Sequence, residues 1–444
     1  MSIMDQLAAF VFETDFQDIP DETVLYTKAL TSKIVAAMLT GSTTVAGKRI
    51  IKYTESKNAP GEIGAIGSGK KFLIEDAIFI NGITSHAAEL EDDQFPSATS
   101  DITIFPVIFP LAEKLNLTGK EVITAAALGI EVMNRIGMFT LSSKGYTDLP
   151  FYGVIGASVT AGKALGLDRE QLKNAMGIAM GCASGFIINF GTDAHYIESA
   201  VACRNGLMAA QLAKMGMTGS WDVEKWLSQM CTGHNYDAKS IVKDLAGARW
   251  RVHETWIKKY PCCFLTHRHI DMMLEILVEQ ELTVDAIDII KIHVGPVDNT
   301  CNRPEPIHTE DARFSFHHIM AALMIDGDVN SCHFSQEVLQ SYEFQKAWKK
   351  VIVINHSEWP AEFMSGIAKI EVLLTDGRKI TKERVQAKGG PDSPLTIDEV
   401  HLLYEKYTSD VLPPDDMAET WQMIIGLENH DNLNALLEKL IYIQ

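Results

Sequence analysis

From the N-terminus to about Gln280, apolar residues recur at helical intervals. Thr118 and Glu121 have capping-box spacing ahead of GKEVITAAALGIEVMNRIGM, and Asp168 with Gln171 repeats it ahead of LKNAMGIAMGCASGF. GVIGASVTAGKALGL is so rich in Gly, Ala and Ser that it predicts an internal helix packed closely by its neighbours. After Val284 the period changes to two. Ile290, Ile292 and Val294 alternate with Lys291 and His293, predicting a strand. VIVINH (351–356) is a second strand. IAKIEVLLTDGRKITKERV holds a third and fourth, joined at Asp376–Gly377, a strong hairpin signal. A capping box at Thr396–Glu399 opens a helical return through ENHDNLNALLEKLIYI. The expected fold is mainly α. An all-helical domain (1–264 and 393–444) is interrupted by a smaller α+β domain (265–392).

Composition narrows the function classes. The 444 residues are 46% hydrophobic and 22% charged, ordinary for a chain with a sizeable core. Against 58 Asp+Glu stand 39 Lys+Arg, a formal net charge of −19 that repels phosphate backbones and anionic lipid. Neither nucleic acid nor a membrane is an expected partner, whereas a small anion in a locally cationic pocket remains compatible. The N-terminal segment meets acidic residues early, and no apolar run reaches membrane-spanning length. The seven Cys are scattered without a CxxC pair, which predicts reduced thiols and a cytoplasmic protein.

Four segments carry candidate chemistry. GAIGSGKK (64–71) has Lys71 where a phosphate loop needs a hydroxyl, so it reads as a Gly-rich surface turn. In SHAAELEDDQFPS (85–97), a continued helix puts His86, Glu89 and Asp93 on one face and turns Glu91 elsewhere. Carboxylates with an imidazole bind divalent ions, but His267–His269 and His317–His318 are loose pairs. No metal is therefore expected. KKYPCCFLTHRHID (258–271) gathers Lys258, Lys259, His267 and Arg268 beside Cys262 and Cys263. The thiols read as packing groups, and Lys258 as a cation able to hold a carboxylate. In GTDAHYIESAVACRNG (191–206), His195 and Glu198 share a helix face, so the carboxylate can orient the imidazole; Arg204 follows.

Taken with EDARFSFHHIMAALMIDGDV, these segments resemble the MmgE/PrpD family of 2-methylcitrate dehydratases, cis-aconitate decarboxylases and iminodisuccinate epimerases. The resemblance implies a helical domain interrupted by an α+β lid domain, a homodimer, no cofactor, and a cleft for a small di- or tricarboxylate. It covers most of the chain, yet many familiar site positions differ. Where decarboxylase-like members carry an Asp after the helix His, this chain has Glu89. Their following Thr corresponds to Asp93, and the His of a His-Pro-Ser segment to Thr99. A further His falls at Thr147. The Lys of the Gly-Thr-x-Thr-Lys segment falls at His195, and the His three residues later at Glu198. A Tyr after the Phe-Ser pair falls at His318, while the Lys before Tyr-Pro-Cys-Cys is kept as Lys258.

Each of the family's reactions can begin beside a carboxylate or its vinylogue, where proton or carbon dioxide loss builds negative charge that cations stabilise. His195 is the expected base, tuned by Glu198 or Glu89, and Lys258 the electrostatic clamp. Asp93 and His318 are candidates for a second proton-transfer group. His86, Thr99, Thr147, Arg204, His267 and Arg268 are candidate substrate-binding residues. A lyase is the leading expectation, an epimerase the alternative, and an inactive carboxylate-binding protein a third. Ionisable residues at Glu89, Asp93 and His195 beside a retained Lys258 argue against decay, which more often leaves apolar fillers.

Overall fold

The capping boxes form as the spacing predicts. In the computed structural model, which describes residues 1–94, 99–139, 141, 145–230, 237–245, 247, 249–360 and 367–443, Thr118 and Glu121 cap Gly119–Ile136. Asp168 with Gln171 caps Arg169–Met180, and Thr396 with Glu399 caps Ile397–Thr408. The protein is mainly α with a smaller α+β portion, and it divides into two compact units.

The first unit comprises Met1–Ile257 and Thr396–Gln444. At its centre, the Asp148–Ala164 helix packs against Asp101–Leu115, Gly119–Ile136, Arg169–Met180 and Asp193–Lys214. Small residues permit this. A Cβ on Gly206 would lie 2.4 Å from the Ala157 Cβ, closer than any side chain tolerates. The Asp101–Leu115 helix carries Pro106 and Pro110 in its interior. Pro106 has no N–H to donate to the Ile102 carbonyl; the buried Cys203 thiol donates there instead, at 3.3 Å. That bond ties this helix to Asp193–Lys214. The returning C-terminal segment is fastened to the Asp21–Thr43 helix. Lys28 Nζ reaches the Ile425 carbonyl at 2.7 Å and Glu428 Oε1 at 2.8 Å, and the Thr40 hydroxyl donates to the Tyr407 carbonyl.

Two small ribbons interrupt the helices, and sequence periodicity did not reveal them. β1 (Ile63–Gly64) and β2 (Lys71–Phe72) pair antiparallel around the GAIGSGKK turn. Gly67 and Gly69 adopt φ of +71° and +69°, and their N–H groups donate to the Leu440 and Ile441 carbonyls rather than facing an empty anion cradle. β3 (Asp92–Gln94) pairs antiparallel with β4 (Thr255–Ile257).

The second unit is Lys258–Leu395. Its four-stranded sheet runs β6–β5–β7–β8, from β5 (Ile287–Val294), β6 (Val351–Asn355), β7 (Ala368–Leu374) and β8 (Lys379–Arg384). β5 is parallel to β6 and antiparallel to β7. The alternation does what the pattern predicts: Ile290, Ile292 and Val294 are buried. Gly377, at φ +88°, closes the β7–β8 hairpin. The His267–Gln280 helix packs on β7 and β8, and Phe316–Asp326 packs on β6. Among the described residues, no helix is long and apolar enough to cross a membrane.

Candidate active site

The Ile74–Thr84 helix lies against Asp193–Lys214 so closely that a Cβ on Gly82 would sit 2.6 Å from the Ala200 Cα. This approach brings His86, just beyond the first helix, onto His195 of the second. Their ring centroids are 4.5 Å apart in an edge-to-face arrangement, and both side chains are buried. Tyr196 sets its ring edge on His86, and Phe190 tilts against His195.

Each imidazole has a polar neighbour at Nδ1. Ser199 donates its hydroxyl to the Tyr196 carbonyl at 2.9 Å, so its oxygen is left to accept from His86 Nδ1–H at 3.3 Å. His86 Nε2 faces carboxylates, Glu89 Oε1 at 3.8 Å and Glu91 Oε1 at 3.6 Å. His195 Nδ1 lies 3.8 Å from Glu198 Oε2. The other Glu198 oxygen is fixed by the Phe186 N–H at 2.9 Å and the Asn189 amide at 2.6 Å. Burial holds the His195 pKa below its ordinary 6.5, and neighbouring His86 lowers it further. The Glu198, Glu89 and Glu91 carboxylates oppose this. His195 is therefore a neutral imidazole near neutral pH, able to take up a proton.

The helix-face expectation for 85–97 needs correction. The helix ends at Thr84, and the turns beyond it finish at Glu89, a non-Gly residue at φ +53°. A left-handed Glu costs about 1–2 kcal/mol and redirects the chain. Asp93 consequently leaves the His86 face for β3, where its carboxylate accepts the Thr99 hydroxyl at 3.2 Å. Glu91, expected to turn away, joins His86. Residues 95–97 of the segment lie outside the described residues. Just past Glu91, Asp92 and Asp101 bind each other's backbone N–H groups, with Lys33 Nζ 3.3 Å from Asp101. Asp92 also accepts the Ser100 N–H and hydroxyl. This buried knot anchors the end of the loop that presents Glu89 and Glu91; burial raises both carboxyl pKa values, Asp101 well above the ordinary range.

The other expected site residues have surroundings of their own. Arg204, nine positions after His195, occupies the opposite face of its helix, exposed, with its guanidinium over Phe79 at 5.1 Å. Thr147 flanks the Asp148–Ala164 helix and donates its N–H to Gly185 at 3.2 Å. In the second unit, Arg268 is buried and bound to the Asp298 carboxylate and the Val385 carbonyl, which occupies the guanidinium expected to take substrate. His267 Nε2 contacts the Cys262 carbonyl at 3.2 Å, and His318 Nε2 the His333 carbonyl at 2.8 Å. His318 is ringed by Phe334, Phe344 and Trp348, and its burial lowers its pKa to about 4. Burial likewise pushes the Cys262 thiol up to about 12, as the packing reading requires. Lys258, the first residue of this unit, is buried. Glu91 and Ser199 were missed from sequence. Ser199 offered a signal, since it follows His195 by one helical turn.

Residues 5–235 match the MmgE/PrpD N-terminal domain, and residues 260–429 match the MmgE/PrpD C-terminal domain. The chain belongs to the MmgE/PrpD family. It is 25% identical over 385 residues to the cis-aconitate decarboxylase of Homo sapiens, a match covering 81% of this chain and 78% of that protein. It is also 25% identical over 459 residues to the cis-aconitate decarboxylase of Aspergillus terreus, covering 95% and 92%. The first family match spans the whole imidazole–carboxylate cluster. These matches span most of each protein, at an identity that leaves individual site residues free to differ.

Proposed function

We propose that this family member is a lyase acting on a small di- or tricarboxylate, by dehydration or decarboxylation, with His195 moving the proton. The observation that carries the reading is the neutral, buried His195, set against His86 and three carboxylates in the segment that the family match covers. His195 accepts a proton from the carbon beside a carboxylate, and the electron pair delocalises into that group. In dehydration, the imidazolium returns its proton to the departing hydroxyl. In decarboxylation the C–H step is absent: carbon dioxide leaves its electron pair on carbon, and that carbon takes a proton from the imidazolium that His195 forms with a solvent proton. Lys258, matched to the family's Lys before Tyr-Pro-Cys-Cys, is the assigned clamp for the developing charge. Acid–base groups suffice for these steps, so no cofactor is needed, and a cytoplasmic homodimer is the expected form.

The His86–His195 pair is not itself built for epimerisation. Inverting a carbon takes proton delivery from opposite faces, and two rings in edge contact 4.5 Å apart leave no room for a carbon between them. The pair acts from one side. Proton NMR in deuterated water, with cis-aconitate, 2-methylcitrate and N- or S-substituted succinates as substrates, tests the reading. Loss of water or carbon dioxide is expected. Inversion with α-proton exchange and no elimination would make the protein an epimerase.

A further inference from the structure

We infer that the same cluster is a binding site for one divalent first-row transition-metal ion, held by His86, Glu89 and His195. One ligand atom from each of the three lies within 4.8 Å of the others, and all three side chains are buried. Two imidazoles and a carboxylate are the donor set of open zinc sites. A second observation points into the same space. His86 Nε2 is fully buried and makes no hydrogen bond. Ser199 at Nδ1 orients the ring so that Nε2 faces Glu89 Oε1 at 3.8 Å and Glu91 Oε1 at 3.6 Å. A proton bridges such atoms at about 2.7–2.9 Å, short of either gap. A tetrahedral ion about 2.1 Å from each ligand holds them about 3.4 Å apart, so the 3.8 Å His86–Glu89 gap and the other separations, all within 4.8 Å, draw in when the ion binds. Ser199 on His86 and Glu198 on His195 supply the outer contacts that orient metal-binding imidazoles.

Binding of the ion does not depend on the lyase reading. Its consequence for turnover does: an ion on His195 occupies the proposed base, so activity falls as the site fills. Chelator-treated full-length protein titrated with ZnCl2 by calorimetry, without substrate, is expected to bind one equivalent, with MgCl2 giving no such binding. Co2+ in its place is expected to develop visible d–d absorption. His86→Gln and His195→Gln should each weaken zinc by roughly 100-fold or more, and Ser199→Ala, which keeps every ligand, by roughly 10-fold. Thermal unfolding checks that each variant is folded, and Ser199→Ala serves if the buried ligand variants are not. No stoichiometric zinc binding overturns the inference, as does binding unchanged in folded variants, which would assign the ion to thiols or surface carboxylates. Zinc bound through these residues with turnover untouched upholds the metal site and removes His195 as base.

Discussion

Three buried histidines of the second unit are held differently from the pair in the first. In the second unit, His267, His269 and His318 each set Nε2 on a backbone carbonyl and pack their rings against aromatic side chains. In the first unit, His86 and His195 face each other and the carboxylates of Glu89, Glu91 and Glu198. A buried imidazole on a carbonyl acts as a neutral, slightly polar packing group. Beside carboxylates it has a neighbour that responds to its charge, which proton transfer requires. The second unit has the denser motifs, HRH and HH, yet the candidate site forms around two isolated histidines.

Variants sharpen that contrast. His195→Asn should lower kcat by roughly 10²–10⁴-fold, the usual worth of a general base, with little change in thermal unfolding. Arg268→Ala strips the buried Asp298 of its partner and should cost about 3–5 kcal/mol in denaturant unfolding. His318→Ala should cost about 2–3 kcal/mol through the cavity it leaves among Phe334, Phe344 and Trp348. Because native His318 titrates near 4 and an unfolded imidazole near 6.5, wild-type stability falls as pH drops through that window; the variant's slope should be shallower. In kcat/KM, the acid limb should lie below pH 6.5, reflecting the lowered His195 pKa. Glu198→Gln, which removes a carboxylate that favours the imidazolium, should move it lower still. Smallest of all, Arg204→Ala should leave turnover unchanged and alter stability by no more than about 0.5 kcal/mol.

Local signals made much of the fold legible. Three capping boxes, the alternation of β5 and the Asp376–Gly377 turn are each written within a few residues. The site was legible as far as one helix extends: His195 and Glu198 share a turn, and Ser199 lies one turn beyond His195. It failed at Glu89. A left-handed backbone is announced by Gly, and a Glu there gives no warning, so the helical pattern ran on to Asp93 and misplaced Glu91. The β3–β4 ribbon was invisible for another reason. Three-residue strands have no period to read, and their partners are some 160 residues apart. Arg268 showed that cationic composition does not reveal whether a charge is already spent, here on Asp298.

The most direct test of His195 as the proton-transfer group is proton NMR in deuterated water with the polycarboxylate panel, run in parallel on wild-type protein and folded His195→Asn. The account predicts elimination of water or carbon dioxide by the wild type, reduced at least roughly 100-fold in the variant. Equal rates in the two would contradict it.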